Sequence, residues 1–510
     1  MKDITISDIY AGMPDAKDEI DTEQEDGFFA SFIIPPGLPM NHLLNGRKFL
    51  VTGYKGVGKT SVLFYLQMKA KESDSATCTS FMYFKSDFEE VQKSRMETVA
   101  KSLTAIVDIR GEIQPNKVEY LHIWRWVIYK KIVDDCEQFE GGLFEDDDNW
   151  QNFVKEVNKI SFSSKKGNVL SLSSLSLSGG FSKGEGVNVK ADAHFDRVAK
   201  SKNSFDQFIE IVEKCKELFQ RIKRTTIPYY MFVDEIEAYY SDRELFIRDL
   251  MLVRDLIFII REINSYHKVN IIAAVRNEIL YAMDRFIQTR EINKIIEGFS
   301  VPLKWNYSNS TSEDHPIIRI LMKRISVAAN SEPQQFSRWF PETIRGKNTI
   351  SYILDNGWNK PRDIVRLLLA AQNDTIHCND RQFTQATFDG LRKEYSKNSL
   401  AEIRQELQSL YTPNEIDMVL MLLMGGERIF TPKELYKRSV RGSNVRVFLD
   451  QRLEDVVKDF YRVGLWGNVN RTVNGDYKWR WNHRGDSEVI LTDDWELAVH
   501  HAVCSELSIR

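Results

Sequence analysis

This chain of 510 residues has little of what staples a protein together or inserts it into a membrane. Its five cysteines, Cys78, Cys136, Cys215, Cys378 and Cys504, are scattered and show no CxxC pair or Cys/His ligand spacing. That excludes a disulfide scaffold and a zinc module, and fits buried thiols in a reducing compartment. Long apolar runs are missing: LIFII from Leu256 and VLMLLM from Val419 fall far short of the ~20 residues a membrane helix needs. MKDITISDIY lacks a basic stretch followed by an apolar one, so no signal peptide is read and a cytoplasmic location without membrane attachment is expected. Surplus positive charge is absent too, with 69 Lys and Arg against 73 Asp and Glu. A net charge of -4 excludes nucleic-acid binding through bulk charge but leaves room for a local basic patch. No Ser-His-Asp or Cys-His set stands out among the nine dispersed histidines.

What is present is core-forming material: 42% hydrophobic and 11% aromatic residues, enough for about three domains. Residues 1–27 are acidic, with nine Asp and Glu against Lys2 and Lys17, and are expected to form a solvated arm. Phe28, Phe29 and Phe32 follow as an apolar anchor that docks on the next domain. Residues 28–310 alternate strand and helix patterns, which predicts an α/β core around a parallel sheet. Its strands are expected at Lys48–Thr52, Thr79–Phe84, Tyr229–Val233, Val269–Val275 and Phe299–Leu303. Residues 141–200 interrupt this core with a Ser/Gly-rich insertion. The LSLS repeats at Leu170–Ser173 and Leu175–Ser178 predict exposed β-hairpins there, suited to self-association. Residues 311–398 read as helical, and 399–510 as a separate C-terminal unit.

The segment Gly53-Tyr54-Lys55-Gly56-Val57-Gly58-Lys59-Thr60 fits GxxxxGK[ST] between an apolar strand and the apolar helix SVLFYL. Glycines let successive backbone N–H groups turn inward around an anion, here the N–H groups from Lys55 to Ser61. Lys59 adds a point charge for the β/γ-phosphates, the Thr60 hydroxyl can ligate Mg²⁺, and the helix start adds its positive end. A nucleotide site also needs a second metal ligand and a base. Tyr229–Val233 ends in Asp234-Glu235, which places two acids at the carboxyl tip of a strand. Asp234 would hold Mg²⁺ and Glu235 would polarise the attacking water.

GYKGVGKTS, YYMFVDEIE, IIAAVRNEI and NKPRDIVRLL resemble the Walker A, Walker B, sensor 1 and sensor 2 regions of AAA+ and related STAND ATPases. The resemblance covers about residues 28–372 and implies a P-loop NTPase sheet with a helical lid, binding ATP and Mg²⁺. It also implies that Arg276, or alternatively Asn277, senses the γ-phosphate, and that Arg362 reaches it from the lid, with Arg366 one turn later. A trans arginine finger would come from Arg285 or Arg290. Two features depart from the pattern, the Ser/Gly-rich insertion and the arginine at sensor 1, and both argue against a processive motor.

From Thr412 three helices and an Asn474-Gly475 hairpin resemble a winged helix. Lys433, Lys437, Arg438, Arg441 and Arg446 on its helices, with Arg471, Lys478, Arg480 and Arg484 along the wing, make a candidate duplex-DNA footprint. Trp479 and Trp481 are expected in the core. The functional expectation is a slow ATPase switch that couples nucleotide state to homo-oligomer assembly or DNA binding, and the resemblance points to bacterial antiviral defence. Two alternatives stand beside it: a nucleotide-gated scaffold for a partner effector with no DNA role, and a replication or repair initiator.

Overall fold

Five short segments build one sheet: β1 (Leu50–Gly53), β2 (Cys78–Tyr83), β3 (Tyr229–Ile236), β4 (Asn270–Arg276) and β5 (Ser300–Pro302). The computed structural model describes residues 4–22, 25–107, 119–139, 142–161, 170–171, 191–238, 242–287, 290–306, 312–330, 335–439, 443–472 and 475–509. The strands lie in the order β2-β3-β4-β1-β5 and every pairing is parallel. Near-continuous burial along β1, β3 and β4 explains why these strands read as unbroken apolar runs rather than alternating ones. The chain is thus mixed α/β, with a parallel central sheet. All five cysteines are free, and Cys78, Cys215 and Cys504 are buried.

The helices that position the cleft are α1 (Ala16–Asp21), α2 (Lys59–Ser73), α3 (Leu121–Phe139) and α4 (Arg243–Ser265). They are followed by α5 (Pro316–Ala329), α6 (Pro361–Gln372) and α7 (Gln385–Leu407), which form a helical domain. Helix α7 runs unbroken across the boundary expected at 398/399. Its buried face mixes Phe388, Leu391, Tyr395, Leu400, Ile403 and Leu407 with Thr387, Ser396, Ser399, Glu402 and Glu406, so polar side chains interrupt its apolar stripe. The acidic arm differs from expectation as well. Ile4, Ile6, Ile9 and Ala11 are buried, and the Ile6 and Ser7 amides donate to the carbonyls of Asp380 and Cys378 at 2.9 and 2.8 Å. Phe28 does dock, against Phe64, and Phe32 stacks on Tyr65 at 4.3 Å.

Within the expected insertion, Ile160–Ser161 pairs in parallel with Leu170–Ser171. The rest of the LSLS segment lies outside the described residues. The helix expected from Phe205 starts at Ala191 instead. The C-terminal region combines α8 (Pro413–Leu423), α9 (Pro432–Arg438) and α10 (Ser443–Arg462) with a four-stranded antiparallel sheet. Its strands are β6 (Ile429–Phe430), β7 (Trp466–Arg471), β8 (Tyr477–Arg480) and β9 (Glu496–Val499). The β7–β8 hairpin forms as expected, but β9 inserts between β6 and β7, a strand with no counterpart in the sequence reading. Trp481 is buried, whereas Trp479 is 39% exposed and lies 5.3 Å from the Arg428 guanidinium, so only one of the two belongs to the core. Among the described residues no helix is long and apolar enough to cross a membrane.

Candidate functional site

At the carboxyl edge of the sheet the chain leaves β1 through a glycine-rich loop and enters α2 at Lys59. Gly56 and Gly58 take left-handed conformations, with φ of 78° and 86°. At Gly56 space adds to conformation, because a Cβ would stand 2.9 Å from Glu402 Oε1 and 3.1 Å from Arg362 Cβ. Two contacts fix the loop from outside: Trp305 Nε1 donates to the Val57 carbonyl at 2.9 Å, and the Arg362 amide to the Gly56 carbonyl at 3.3 Å. The buried Lys59 ammonium donates to the carbonyls of Gly53 and Tyr54 at 2.9 and 2.8 Å. Burial, with Arg276 nearby, brings Lys59 down to about 7. The Lys55 amide donates to Glu278 Oε1 at 3.3 Å, and its ammonium to Gln405 of α7. Ser61, the third residue of α2, lines the cleft.

Facing the loop, β3 runs on past Val233, so Asp234 and Glu235 belong to the strand itself. Asp234 is buried, and burial lifts its carboxyl to about 6 against the pull of a hydrogen bond from Thr60. Glu235 sits at φ 55°, an unusual backbone for a side chain of its size. Its Oε1 lies 3.2 Å from the Lys17 ammonium, and its Oε2 accepts from the Ser86 amide at 3.0 Å and from the Ser86 hydroxyl. Arg276 ends β4 in register with Gly53 and pairs with Glu237, which places a guanidinium between loop and acids. Asn277 opens the next helix.

The opposite wall is the helical domain. Pro361 opens α6, and the Arg362 guanidinium enters the cleft, where Nε donates to the Pro14 carbonyl at 2.9 Å. Arg366 does not reach the cleft: it is buried against Glu402, Ser399 and Asp363. Lys360 pairs with Glu406 at 2.7 Å. Burial opposes ionisation of Glu402, yet Arg366, Arg362 and Lys360 outweigh it and hold that carboxyl down to about 2. Glu406, with Lys360 as its one close cation, is pushed up by burial to about 7. Neither glutamate, nor Gln405, was singled out in the sequence, because their partners Arg366, Lys360 and Lys55 lie on other elements.

The walls border a cleft of about 120 Å³. Lys55, Lys59, Arg276 and Arg362 line it together with Thr60, Asp234 and Glu235. Residues Met13 to Lys17 and Glu19 of the N-terminal segment close its remaining side, and Arg324 of α5 reaches the Ala11 carbonyl beneath them. That segment is the part sequence reasoning missed. A second cavity of about 40 Å³ lies inside the helical domain among Ile317, Leu354, Ile364, Leu367, Phe388 and Leu391. Its lining is mostly apolar, and the cations of the cleft do not line it.

Arg285 is committed elsewhere in the same chain, bound to Asp455 and Asp459 of α10 at 2.5 and 2.7 Å. This contact joins the α/β core to the C-terminal domain, a role different from the trans finger the sequence left open. The Arg290 side chain lies outside the described residues.

Residues 316–404 match the family described as the FunZ-associated C-terminal helical domain. That stretch takes in α5, α6 and most of α7, the wall that carries Arg362 and Glu402. No curated protein matches the chain.

Proposed function

We propose that the chain is a P-loop ATPase of the AAA+/STAND kind, a slow switch whose nucleotide state moves the helical and C-terminal domains. One observation carries this reading: the glycine-rich loop, buried Lys59 and the hydrogen-bonded pair Thr60–Asp234 converge on a single cleft at the carboxyl edge of a parallel sheet. The residues fit Mg²⁺–ATP. Backbone amides from Lys55 to Ser61 would cradle the α/β-phosphates, with Gly56 and Gly58 supplying the turn. Lys59 would leave its two carbonyls for the β/γ-phosphates, and Thr60 with Asp234 would hold the metal. Bound Mg²⁺ supplies neutralisation of charge on the phosphate oxygens. Glu235 would orient the attacking water, while Arg276 from β4 and Arg362 from α6 would read the γ-phosphate from two sides.

The Arg285 contact with Asp455 and Asp459 gives such a change a path to the C-terminal domain, since Arg285 lies on the helix that follows β4. Assembly into a homo-oligomer, recruitment of a partner effector and duplex-DNA contact through the C-terminal domain are the outputs we place downstream. The test is titration with a fluorescent ATP analogue and Mg²⁺, beside ATP turnover, in wild type and Lys59→Ala. Saturable, Mg²⁺-dependent binding and turnover that Lys59→Ala abolishes are expected. Equal behaviour of the two proteins, or no binding by either, overturns the reading.

A further inference from the structure

Glu235 is held from one side. In the sheet β2 flanks β3 on one edge, while β4 and then β1, with its glycine-rich loop, lie on the other. Both partners of the Glu235 carboxylate come from the β2 side. Ser86 follows β2, and the Lys17 ammonium lies 3.8 Å over the ring of Tyr83, the last residue of β2. These contacts occupy both oxygens of the carboxylate. To orient a water attacking a phosphate held by the loop, Glu235 would need one of them released.

Lys17 belongs to a segment tied firmly at several points to the helical domain. Besides the amide bonds of Ile6 and Ser7 to residues 380 and 378, Gln372 Nε2 of α6 donates to the Ile9 carbonyl at 2.7 Å. Arg362 Nε holds the Pro14 carbonyl, three residues before Lys17. The segment is a strap, with one end fixed to the helical domain and the other, where Ala16 packs against Phe28 and Phe64, presenting Lys17 to the carboxylate at the tip of β3.

We infer that Lys17 is a positioning residue for ATP hydrolysis, through which the helical domain withholds Glu235 until it moves. The inference rests on the ATPase reading and adds its regulation. A displacement of α6 relative to the sheet pulls the strap, breaks the contact between Lys17 and Glu235, and releases that carboxylate oxygen. Arg362 couples the two events, because a guanidinium that turns to a γ-phosphate lets go of the Pro14 carbonyl.

The experiment measures kcat and KM for Mg²⁺–ATP, and analogue binding, in full-length wild type, Lys17→Met, Lys17→Arg and Gln372→Ala. Lys17→Met is expected to raise kcat on the order of tenfold with KM within twofold of wild type. Lys17→Arg restores the low rate, and Gln372→Ala, which frees the far end of the strap, raises kcat by a smaller factor. In a Glu235→Gln background Lys17→Met changes nothing. Unchanged or lowered kcat in both Lys17→Met and Gln372→Ala, with analogue binding intact, overturns the strap and leaves the ATPase reading standing. Loss of analogue binding by wild type overturns both.

Discussion

The cleft and the C-terminal domain are both rich in cations, and they partner several of them differently. In the C-terminal domain Lys433 meets Asp493 at 2.6 Å, Arg446 meets Asp450 at 3.3 Å, and Arg480 meets Asp486 at 3.5 Å. Arg484 reaches across to Asp355 of the helical domain. In the cleft Lys59 leans on two backbone carbonyls, and Arg362 holds a third while standing 3.9 Å from Glu402. A carboxylate cancels a neighbouring cation, whereas a carbonyl dipole only solvates it and leaves most of its field directed outward. A basic stretch in sequence is therefore not yet an anion site. Convergence on one cavity, with backbone dipoles as the partners of Lys59 and Arg362, separates the two regions, while Arg276 keeps Glu237 as its countercharge.

The comparison can be tested from its strongest contrast downward. Arg366 is buried between Glu402 and Asp363, so Arg366→Ala leaves uncompensated charge and should cost about 3–5 kcal/mol in urea unfolding. Lys59→Ala should cut ATP turnover by roughly 10²–10³-fold, as loss of a transition-state charge contact does. Stability without nucleotide should hold or rise in the same variant, because a buried cation is costly to keep. A parallel fall in stability and turnover would mean that Lys59 is structural.

The third contrast is acid sensitivity. Burial holds the His483 and His500 imidazoles well below the usual histidine range of 6.5. They pack with Trp358 and Trp481 where the helical and C-terminal domains meet. The unfolded chain takes up protons below pH 6.5 that the folded chain refuses, so stability is full above that pH and falls beneath it. The slope should approach about 1.4 kcal/mol per histidine for each further pH unit, read by tryptophan fluorescence in a pH series of urea titrations. A flat profile from pH 7 to 5 would remove both histidines from the junction. The smallest effect belongs to the exposed pair: Lys433→Ala should change stability by less than about 0.5 kcal/mol, checked by the same titration.

Much of this geometry was legible where local chemistry decides it. An apolar strand, a glycine-spaced turn and a helix specify the Gly53–Thr60 loop within a dozen residues, and Asp234 declares itself by ending an apolar run. The parts that stayed hidden depend on distant partners. Ile4, Ile6 and Ile9 are sparse apolar residues in an acidic stretch, and only the segment near residues 372–380 gives them something to pack on. Strand β9 follows an irregular stretch and gains its place by pairing with β7, which begins thirty residues earlier. Helix α7 hid its charged contacts in the same way. Phe388, Leu391, Tyr395, Ile403 and Leu407 mark its apolar face, but hydrophobic periodicity does not say that Glu402 and Glu406 are buried beside them. Arg285 and Arg366 were visible as arginines, but their partners, Asp459 and Glu402, lie far along the chain.

Helix α7 carries one more consequence. Its carboxyl-terminal turns supply Glu402, Gln405 and Glu406, which meet Arg366, Lys55 and Lys360, and α8 opens at Pro413 soon after α7 ends. A chain severed at residue 398 would keep Arg366 and Lys360 inside while removing the carboxylates that make their burial tolerable. The helical wall and the tail are thus not separable cassettes. Any transplant of this module into another protein has to carry α7 whole, or it will bring along stranded cations and a collapsed cleft.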